Sequence, residues 1–319
     1  MKSIRKQRGV ALFVALLVVT IATLLATEMW FRNSLDIARQ YNSRSVYQAR
    51  YYSKGMLLWA RDILRQDYEH EAGFDSRSEA WNQPIAGIEL PDAMLSGKLV
   101  DFDGKFNLNN LVIKGQVNDL SVGYFKRVLL NLEMDVTLVD KIIDWLDADQ
   151  VPSPQGAEDS VYLSKNPSYR SAGQPFAHIS ELRLIEGIDS RTYQRLKAYV
   201  TVLPVQGVQP TTMNVNTMSA LLLKSLDVAI TTKDALALYS EGSANNKTLR
   251  EFFKQPAIVY LGLNNEAKQL DKLISTKSNW FQARVDVRMD ESLFTQYAML
   301  YRPNSLASIK QLSDTPFIP

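Results

Sequence analysis

An uncharged, nearly all-apolar segment near the amino terminus constrains the fold of this 319-residue chain more than any other feature. It covers residues 9–27 and, as a helix, rises about 27 Å, which is enough to cross the hydrocarbon core of a bilayer. The basic residues that precede it are Lys2, Arg5, Lys6 and Arg8. The next positive charge is Arg32, so we expect the basic leader to stay in the cytoplasm and the rest of the chain to lie outside.

An ordinary cleaved secretory signal peptide is the alternative interpretation of this segment. Its apolar core would be longer than the roughly 7–15 residues that are usual, and only a weak small-residue cleavage site follows, at residues 24–26. The change from charge to hydrophobicity is instead abrupt and is marked by Gly9. These observations favour a retained membrane helix.

The helix is predicted to continue beyond the membrane segment to about residue 70. No proline occurs between residues 28 and 68, and a helix over residues 10–70 would be roughly 90 Å long. The apolar residues that approximate one face of its second half are Leu35, Tyr47, Tyr51, Leu58 and Ile63. The pattern predicts a membrane anchor with a connecting stalk.

The composition of the chain excludes several kinds of active site. Cysteine is absent, which removes disulfides, thiolate metal ligands and thiol nucleophiles. The two histidines, His70 and His178, are too few for a site that needs several imidazoles. The formal net charge of +2 gives no broad attraction for nucleic acid. The sequence also lacks the G-x-S-x-G and H-E-x-x-H motifs of hydrolases, so we assign no catalytic residue.

The rest of the chain divides into strand-like and helix-like regions. Residues 97–111 alternate around an Asp-Gly pair, which predicts a hairpin at the start of an antiparallel sheet. Residues 281–289 and 294–301 alternate again and are expected to complete that sheet. The segments of helical periodicity between them are residues 125–132, 136–146, 179–199, 219–226, 231–239 and 248–253. Gly187 is expected to supply the positive φ of a tight turn within the third segment.

The most distinctive segment follows the second of these helices. Five acidic residues and no basic residue lie between Lys141 and Lys165, together with two prolines and a glycine that predict a rigid, returning loop. The acidic residues are Asp144, Asp147, Asp149, Glu158 and Asp159. Carboxylates that converge in a turn suit a hard cation such as calcium, and without a cation they repel one another. A solvated acidic loop that caps a helix, with no metal, is the alternative.

Four separated features of the sequence resemble the K-type minor pseudopilins of the type II secretion system. Residues 144–162 read D-W-x-D-x-D-x-x-P-x-x-x-G-A-E-D-x-x-Y, which is similar to the central motif of that family. The abrupt change at Gly9 resembles a prepilin peptidase site, although Val10 stands where phenylalanine or methionine is usual. Val14 stands where most pseudopilins carry glutamate, and this replacement is a habit of the K type. The large helical insertion is the fourth feature.

The resemblance implies particular site residues. Calcium is expected to be held by Asp147, Asp149, Glu158 and Asp159. Asp144 is expected to orient the loop and Tyr162 to pack beneath it. Prepilin peptidase is expected to cleave between Gly9 and Val10, with methylation as a further modification.

The resemblance also implies a role in binding and assembly, without catalysis. A glutamate buried in a membrane needs a partner, which in a pilus is the amino terminus of the neighbouring subunit. A subunit without this glutamate needs no neighbour ahead of it, so we expect it at the tip of the pseudopilus. The expected partners are the minor pseudopilins I and J, with contact to the major pseudopilin and exported proteins. The expected location is the inner membrane, spanned once, with the carboxyl-terminal domain in the periplasm.

The expected fold is α+β, with a long transmembrane helix, a pilin-like antiparallel sheet and a large inserted α-helical domain with helix-hairpin-helix-like units. Its expected parts are a cleaved leader (1–9), a transmembrane helix (10–31), a periplasmic helix with the first pilin strands (32–112), the insertion (113–275) and the last pilin strands (276–319).

A membrane-anchored DNA-binding protein is the alternative function. Helix-hairpin-helix modules hold phosphates with backbone amides near the hairpin glycines. Residues 178–200 carry four basic and three acidic residues, however, which makes a poor phosphate platform. We therefore expect no nucleic acid partner. A periplasmic hydrolase is a third possibility, but the motifs it would need are missing.

Overall fold

A single helix, α1, begins at Arg8 and ends at His70. The structure is a computed structural model that describes residues 8–70, 73–205, 207–263, 267–290 and 292–317, so most of the expected leader lies outside it. Within the described residues, α1 is the one helix long and apolar enough to cross a membrane. The threonine hydroxyls of its apolar part each donate to the carbonyl four residues earlier, at 2.8 Å, which leaves no hydroxyl there without a partner.

The strands, in chain order, are β1 (Ile85–Leu90), β2 (Ala93–Asp101), β3 (Phe106–Asn107), β4 (Val112–Ile113), β5 (Gln116–Val117), β6 (Val200–Thr201), β7 (Met213–Asn214), β8 (Ile274–Ser275), β9 (Trp280–Met289), β10 (Ser292–Tyr301) and β11 (Ser308–Ser313). The helices after α1 are α2 (Asp119–Asn131), α3 (Leu138–Leu146), α4 (Asp159–Tyr162), α5 (Ser190–Leu196), α6 (Ala220–Lys224), α7 (Thr232–Tyr239), α8 (Leu249–Phe253), α9 (Pro256–Tyr260) and α10 (Ala267–Leu270). Short 3-10 helices lie at Ala80–Asn82, Leu108–Asn110, Ile179–Leu184 and Ser240–Gly242.

The main sheet has five antiparallel strands in the order β1-β2-β9-β10-β11. The strands predicted over residues 281–289 and 294–301 are confirmed as β9 and β10. The alternate residues of β9 that face α1 are Phe281, Ala283, Val285 and Val287. They form one hydrophobic core with the second half of α1, and Trp81 packs edge-on to Phe281 with ring centroids 5.3 Å apart.

The predicted contact face of α1 is wrong. Tyr47 and Tyr51 are 71% and 76% exposed. The residues that pack on the sheet are instead Ala49, Met56, Leu57, Ala60 and Leu64. Tyr52 and Ile63 also pack against this core, so the buried face is set by position along the helix and not by side-chain size.

The hairpin predicted around the Asp-Gly pair is also wrong. The Asp103 carboxylate accepts hydrogen bonds from the backbone N–H groups of Asn279 and Trp280, at 2.5 and 3.1 Å. A Cβ on Gly104 would lie 2.9 Å from the Thr217 carbonyl oxygen. After this pair the chain leaves the sheet, and β3 pairs in parallel with β6. The Asp-Gly pair therefore joins the sheet to the following domain.

The chain between β2 and β9, which we call the insertion, folds around its own hydrophobic core. The helices predicted over residues 125–132 and 136–146 are confirmed as α2 and α3, although α2 begins earlier, at Asp119. Gly187 has the predicted positive φ, +84°. The predicted α+β class, with a helical domain inserted in an antiparallel sheet, is confirmed.

Buried asparagines hold the insertion together and attach it to the loop after α1. We use the word head for the sheet and the insertion together. The Asn107 amide oxygen accepts from the Leu203 N–H at 2.9 Å. The side-chain amides of Asn214 and Asn216 donate to the Asp75 carbonyl at 2.9 and 3.1 Å. These groups are withdrawn from water and paired, so they hold distant segments in one arrangement.

Candidate metal centre

The acidic loop, residues 147–158, is positioned by the end of α3 and the start of α4. Residues of α3 anchor it because Ile142, Trp145 and Leu146 are buried in the core of the insertion. Asp147 leaves the helix with an extended backbone while its N–H still donates to the Ile143 carbonyl at 2.9 Å. The loop then returns to Glu158, which precedes α4.

Asp144 organises the loop from inside. Its side chain is fully buried, and its two carboxylate oxygens lie 3.1 and 3.2 Å from the Ser153 N–H, which donates to them. Gly156 lies directly against the same carboxylate, and a Cβ there would be 2.6 Å from the Asp144 Cγ. The loop can therefore close over Asp144 only if residue 156 is a glycine.

Three carboxylates converge at the loop. One oxygen each of Asp147, Asp149 and Glu158 lies within 4.8 Å of the others. Asp147 Oδ1 and Glu158 Oε1 are buried and accept no hydrogen bond from the described residues. A buried carboxylate oxygen without a partner is costly, and a cation held between the three side chains supplies the missing partner.

Burial and mutual repulsion raise the pKa values of two of these side chains, Asp147 and Glu158. Burial, and then repulsion from Asp149 and Asp144, raises the pKa of Asp147 to about 6. Burial, and then repulsion from the neighbouring aspartates, raises the pKa of Glu158 to about 7. In the absence of a cation, protons therefore occupy Glu158 in part at neutral pH and Asp147 at somewhat lower pH. A divalent cation that binds here must displace them.

Asp159, the fourth predicted ligand, is turned away from this group. Its Oδ1 accepts from the Ser171 N–H and hydroxyl at 2.9 and 3.1 Å. Its Oδ2 lies 3.5 Å from Arg170 Nη1. Asp159 therefore fixes the returning segment at residues 169–173, and the structure brings together three of the four predicted carboxylates.

Aromatic residues form the floor of the site. Tyr162 is fully buried, as predicted, and packs edge-on to Trp145 and stacked on Tyr169, with ring centroids 5.3 and 5.4 Å away. Tyr169 and Ser171 were not among the predicted site residues. The Ser171 hydroxyl lies 3.3 Å from Glu158 Oε2. The glycine at position 173 was the signal in the sequence that the chain turns back here. In the structure Gly173 has a φ of +55°, and its N–H donates to the Trp145 carbonyl.

The basic residues of the helix-hairpin-helix-like unit contact the insertion itself. Arg183 and Lys197 each lie 5.9 Å from the ring centroid of Tyr193. Arg195 donates to the Leu132 carbonyl.

The predicted processing site lies at the start of the described chain. Residues 9 and 10 belong to the first turns of α1, and Val10 and Val14 are exposed along this helix. Cleavage between Gly9 and Val10 stays a prediction.

A long helix whose apolar part fits a single-pass membrane anchor, an antiparallel sheet on which this helix packs, and a large α-helical insertion define a pilin-like protein. Residues 104–205 match the family model described as type II secretion system protein K. The chain is 38% identical to the type II secretion system protein K of Pseudomonas aeruginosa, over 70% of this chain and 68% of that protein. It is 30% identical to the protein of that name from Pectobacterium carotovorum subsp. carotovorum, over 96% of each chain.

This chain therefore belongs to the type II secretion system protein K family. Its fold is similar to that of a chain in the crystal structure of the GspK-GspI-GspJ complex from the enterotoxigenic Escherichia coli type 2 secretion system, with a TM-score of 0.75. That comparison covers 86% of this chain and 98% of the other at 24% identity, and it supports the fold.

Proposed function

We propose that this protein is a minor pseudopilin that stands at the tip of the type II secretion pseudopilus. It spans the inner membrane once, carries its head in the periplasm, and initiates assembly with the minor pseudopilins I and J to support protein export. The observation that carries this proposal is the fold, in which a helix with an apolar amino-terminal part packs its second half on a pilin-like sheet. The relative of similar fold was crystallised in a GspK-GspI-GspJ complex, which supports the choice of partners.

Two features of this chain support the tip position. No acidic residue precedes Glu28, so the membrane helix offers no carboxylate to the amino terminus of a subunit ahead of it. The insertion also widens the head far beyond its five-stranded sheet, which opposes stacking of a further subunit on top. Processing by prepilin peptidase between Gly9 and Val10, methylation, and contacts with the major pseudopilin and exported proteins belong to the same proposal.

Calcium is the cation proposed for the acidic loop. The ligands would be Asp147, Asp149 and Glu158, with Asp144 and Asp159 holding the loop around them. The all-oxygen donor set suits calcium, and the cation would supply the partner that the two unpaired carboxylate oxygens lack. Bound calcium would contribute folding free energy to the insertion, because the repulsion between the carboxylates opposes a preformed site.

The tip position predicts the effect of restoring the missing glutamate. We expect Val14→Glu to lower the recovery of the complex with I and J severalfold, because no subunit ahead supplies a partner for the new carboxylate in the membrane. The measurement is co-purification of the full-length protein with I and J from inner membranes, with Val14→Ala as the control that should leave recovery unchanged. A wild-type protein that purifies without I and J would contradict the proposed function. Unchanged or increased recovery of Val14→Glu would contradict the tip position alone.

A further inference from the structure

A second group of buried carboxylates lies where the end of α1 meets the head. We call it the carboxyl junction, and it consists of Asp67, Asp75, Glu79 and Arg302. Arg302 is only 2% exposed; its guanidinium donates to Asp67 Oδ2 at 2.8 Å and also to Asp75. It further donates to the carbonyls of Leu64 and Ser278, at 3.1 and 3.2 Å. Arg302 thus ties the last turns of α1 to the loop after it and to the segment before β9.

The charges of the carboxyl junction do not balance if every carboxyl group is ionised. One oxygen each of Asp67, Asp75 and Glu79 lies within 4.8 Å of the others, and a single guanidinium lies among them. Glu79 is 7% exposed; its Oε2 accepts from the Trp81 indole N–H at 2.9 Å, while its Oε1 accepts no hydrogen bond within the described part of the chain. Three ionised carboxylates beside one guanidinium would leave an excess of negative charge in a buried place, and a proton bound to one carboxyl group lowers that excess.

The surroundings of the junction contain further titratable groups of both signs. The titratable groups that face the junction, from every element packed against it, are Tyr68 of α1, Arg77 of the following loop, Asp101 of β2, Asp103 after β2, and Lys277 before β9. The Arg77 guanidinium is directed to the Thr217 carbonyl and to the Tyr239 hydroxyl. Lys277 Nζ lies 6.0 Å from the centroid of the Tyr68 ring. Arg77 forms no ion pair with Glu79 among the described contacts.

We propose that a proton shared between the Glu79 and Asp67 carboxyl groups is a structural part of this junction, and that its loss in alkaline medium weakens the attachment of α1 to the head. The proton supplies the hydrogen bond that Glu79 Oε1 lacks. When this proton is lost to solvent, Glu79 and Asp67 become two adjacent buried carboxylates. Arg302 is then the single cation for all three carboxylates of the junction.

The electrostatics support the proposal and give the sign of the pH dependence. Burial, and then the charge of Asp67, raises the pKa of Glu79 from 4.5 to about 8, and burial also raises the pKa of Asp67. The folded state therefore binds more protons than the unfolded state over that interval. The stability contributed by the proton is fully present below about pH 4.5 and is lost as the pH rises through about 8.

The test follows the Trp81 indole N–H resonance of the full-length protein in detergent micelles between pH 6 and 10. In the wild-type protein this resonance should titrate with a midpoint near pH 8, and the melting temperature should fall by roughly 5 °C or more between pH 6 and 9. Glu79→Gln mimics the protonated side chain, so it should abolish the titration of Trp81 and flatten the melting profile. Glu69→Gln, which changes an exposed carboxylate of the same helix, should keep the wild-type behaviour.

A second variant keeps the test decisive if Glu79→Gln does not fold. Asp67→Asn removes the neighbouring charge, so the midpoint of the Trp81 titration should move to lower pH. A wild-type midpoint below pH 6 would overturn the proposal. So would a Glu79→Gln profile that matches the wild type, or an Asp67→Asn midpoint that does not move.

Discussion

Replacing Arg302 with methionine is expected to lower the free energy of unfolding by about 3–5 kcal/mol, the range for removing one partner of a buried ion pair. The guanidinium pairs with Asp67 and Asp75, whose side chains are almost as deeply buried as its own. Methionine fills a similar volume but leaves both carboxylates without their cation and removes the hydrogen bonds that the guanidinium donates to the carbonyls of Leu64 and Ser278. The melting temperature should therefore fall by roughly 10 °C.

Part of this loss should return at low pH. Without Arg302 the buried carboxylates would hold protons more tightly in the folded state than in the unfolded state, so the variant should gain stability as the pH falls. The matched control is Arg284→Met. Arg284 Nε lies 3.0 Å from Asp286 Oδ2, and the Arg284 side chain is 37% exposed. An exposed pair of this kind contributes less than about 1 kcal/mol. If thermal melts show that Arg302→Met costs no more than Arg284→Met, the structural role of Arg302 is contradicted.

Replacing Gly156 with alanine is expected to disrupt the acidic loop. The new Cβ would overlap the Asp144 carboxylate, and Asp144 cannot move without losing its hydrogen bonds to Ser153. Overpacking of this kind costs about 1–3 kcal/mol, and we expect the upper end because both groups are fixed. Displacement of the loop should weaken the free energy of calcium binding by at least ~1.4 kcal/mol, which corresponds to a fall in calcium affinity of about tenfold or more.

The control for this variant is Gly55→Ala. A Cβ at Gly55, in the middle of α1, would meet no described heavy atom within 4 Å. Alanine should therefore raise stability by about 0.5–1 kcal/mol through helix propensity alone. Thermal melts and calcium titrations of both variants decide the matter. Wild-type stability and affinity in Gly156→Ala would show that the close contact with Asp144 is unimportant.

The elements that the sequence predicts well are those fixed by local pattern. The apolar run and the absence of proline predict α1, and alternation predicts β9 and β10. The face of α1 could not be predicted in the same way. Periodicity places the tyrosines on one face of the helix. It does not reveal that the sheet packs against a different face, which carries Ala49 and Ala60.

The errors in the candidate site have the same origin in distant contacts. The sequence predicts that Asp147 and Asp149 converge in a turn and that Glu158 and Asp159 return to them across the loop, and the structure brings the first three together. Asp159 is diverted by Ser171, twelve residues later, and nothing in the local sequence specifies how the loop returns. The carboxyl junction joins residues 235 positions apart, so no sequence motif indicates it.

The most direct test of the proposed calcium site is a calcium titration of the full-length protein by calorimetry at pH 7, in two buffers of different ionisation enthalpy. We predict saturable binding with release of protons, because Glu158 and Asp147, with pKa values raised to about 7 and 6, must lose the protons that they hold without a cation.

Calcium at a hundredfold excess over Kd should stabilise the protein by about 2.7 kcal/mol. Asp149→Ala and Glu158→Ala should abolish binding, whereas Asp135→Ala, which removes an exposed carboxylate before α3, should not. A titration without saturable heat, together with melting curves that are identical with calcium and with chelator, would contradict the proposal that a cation organises this loop.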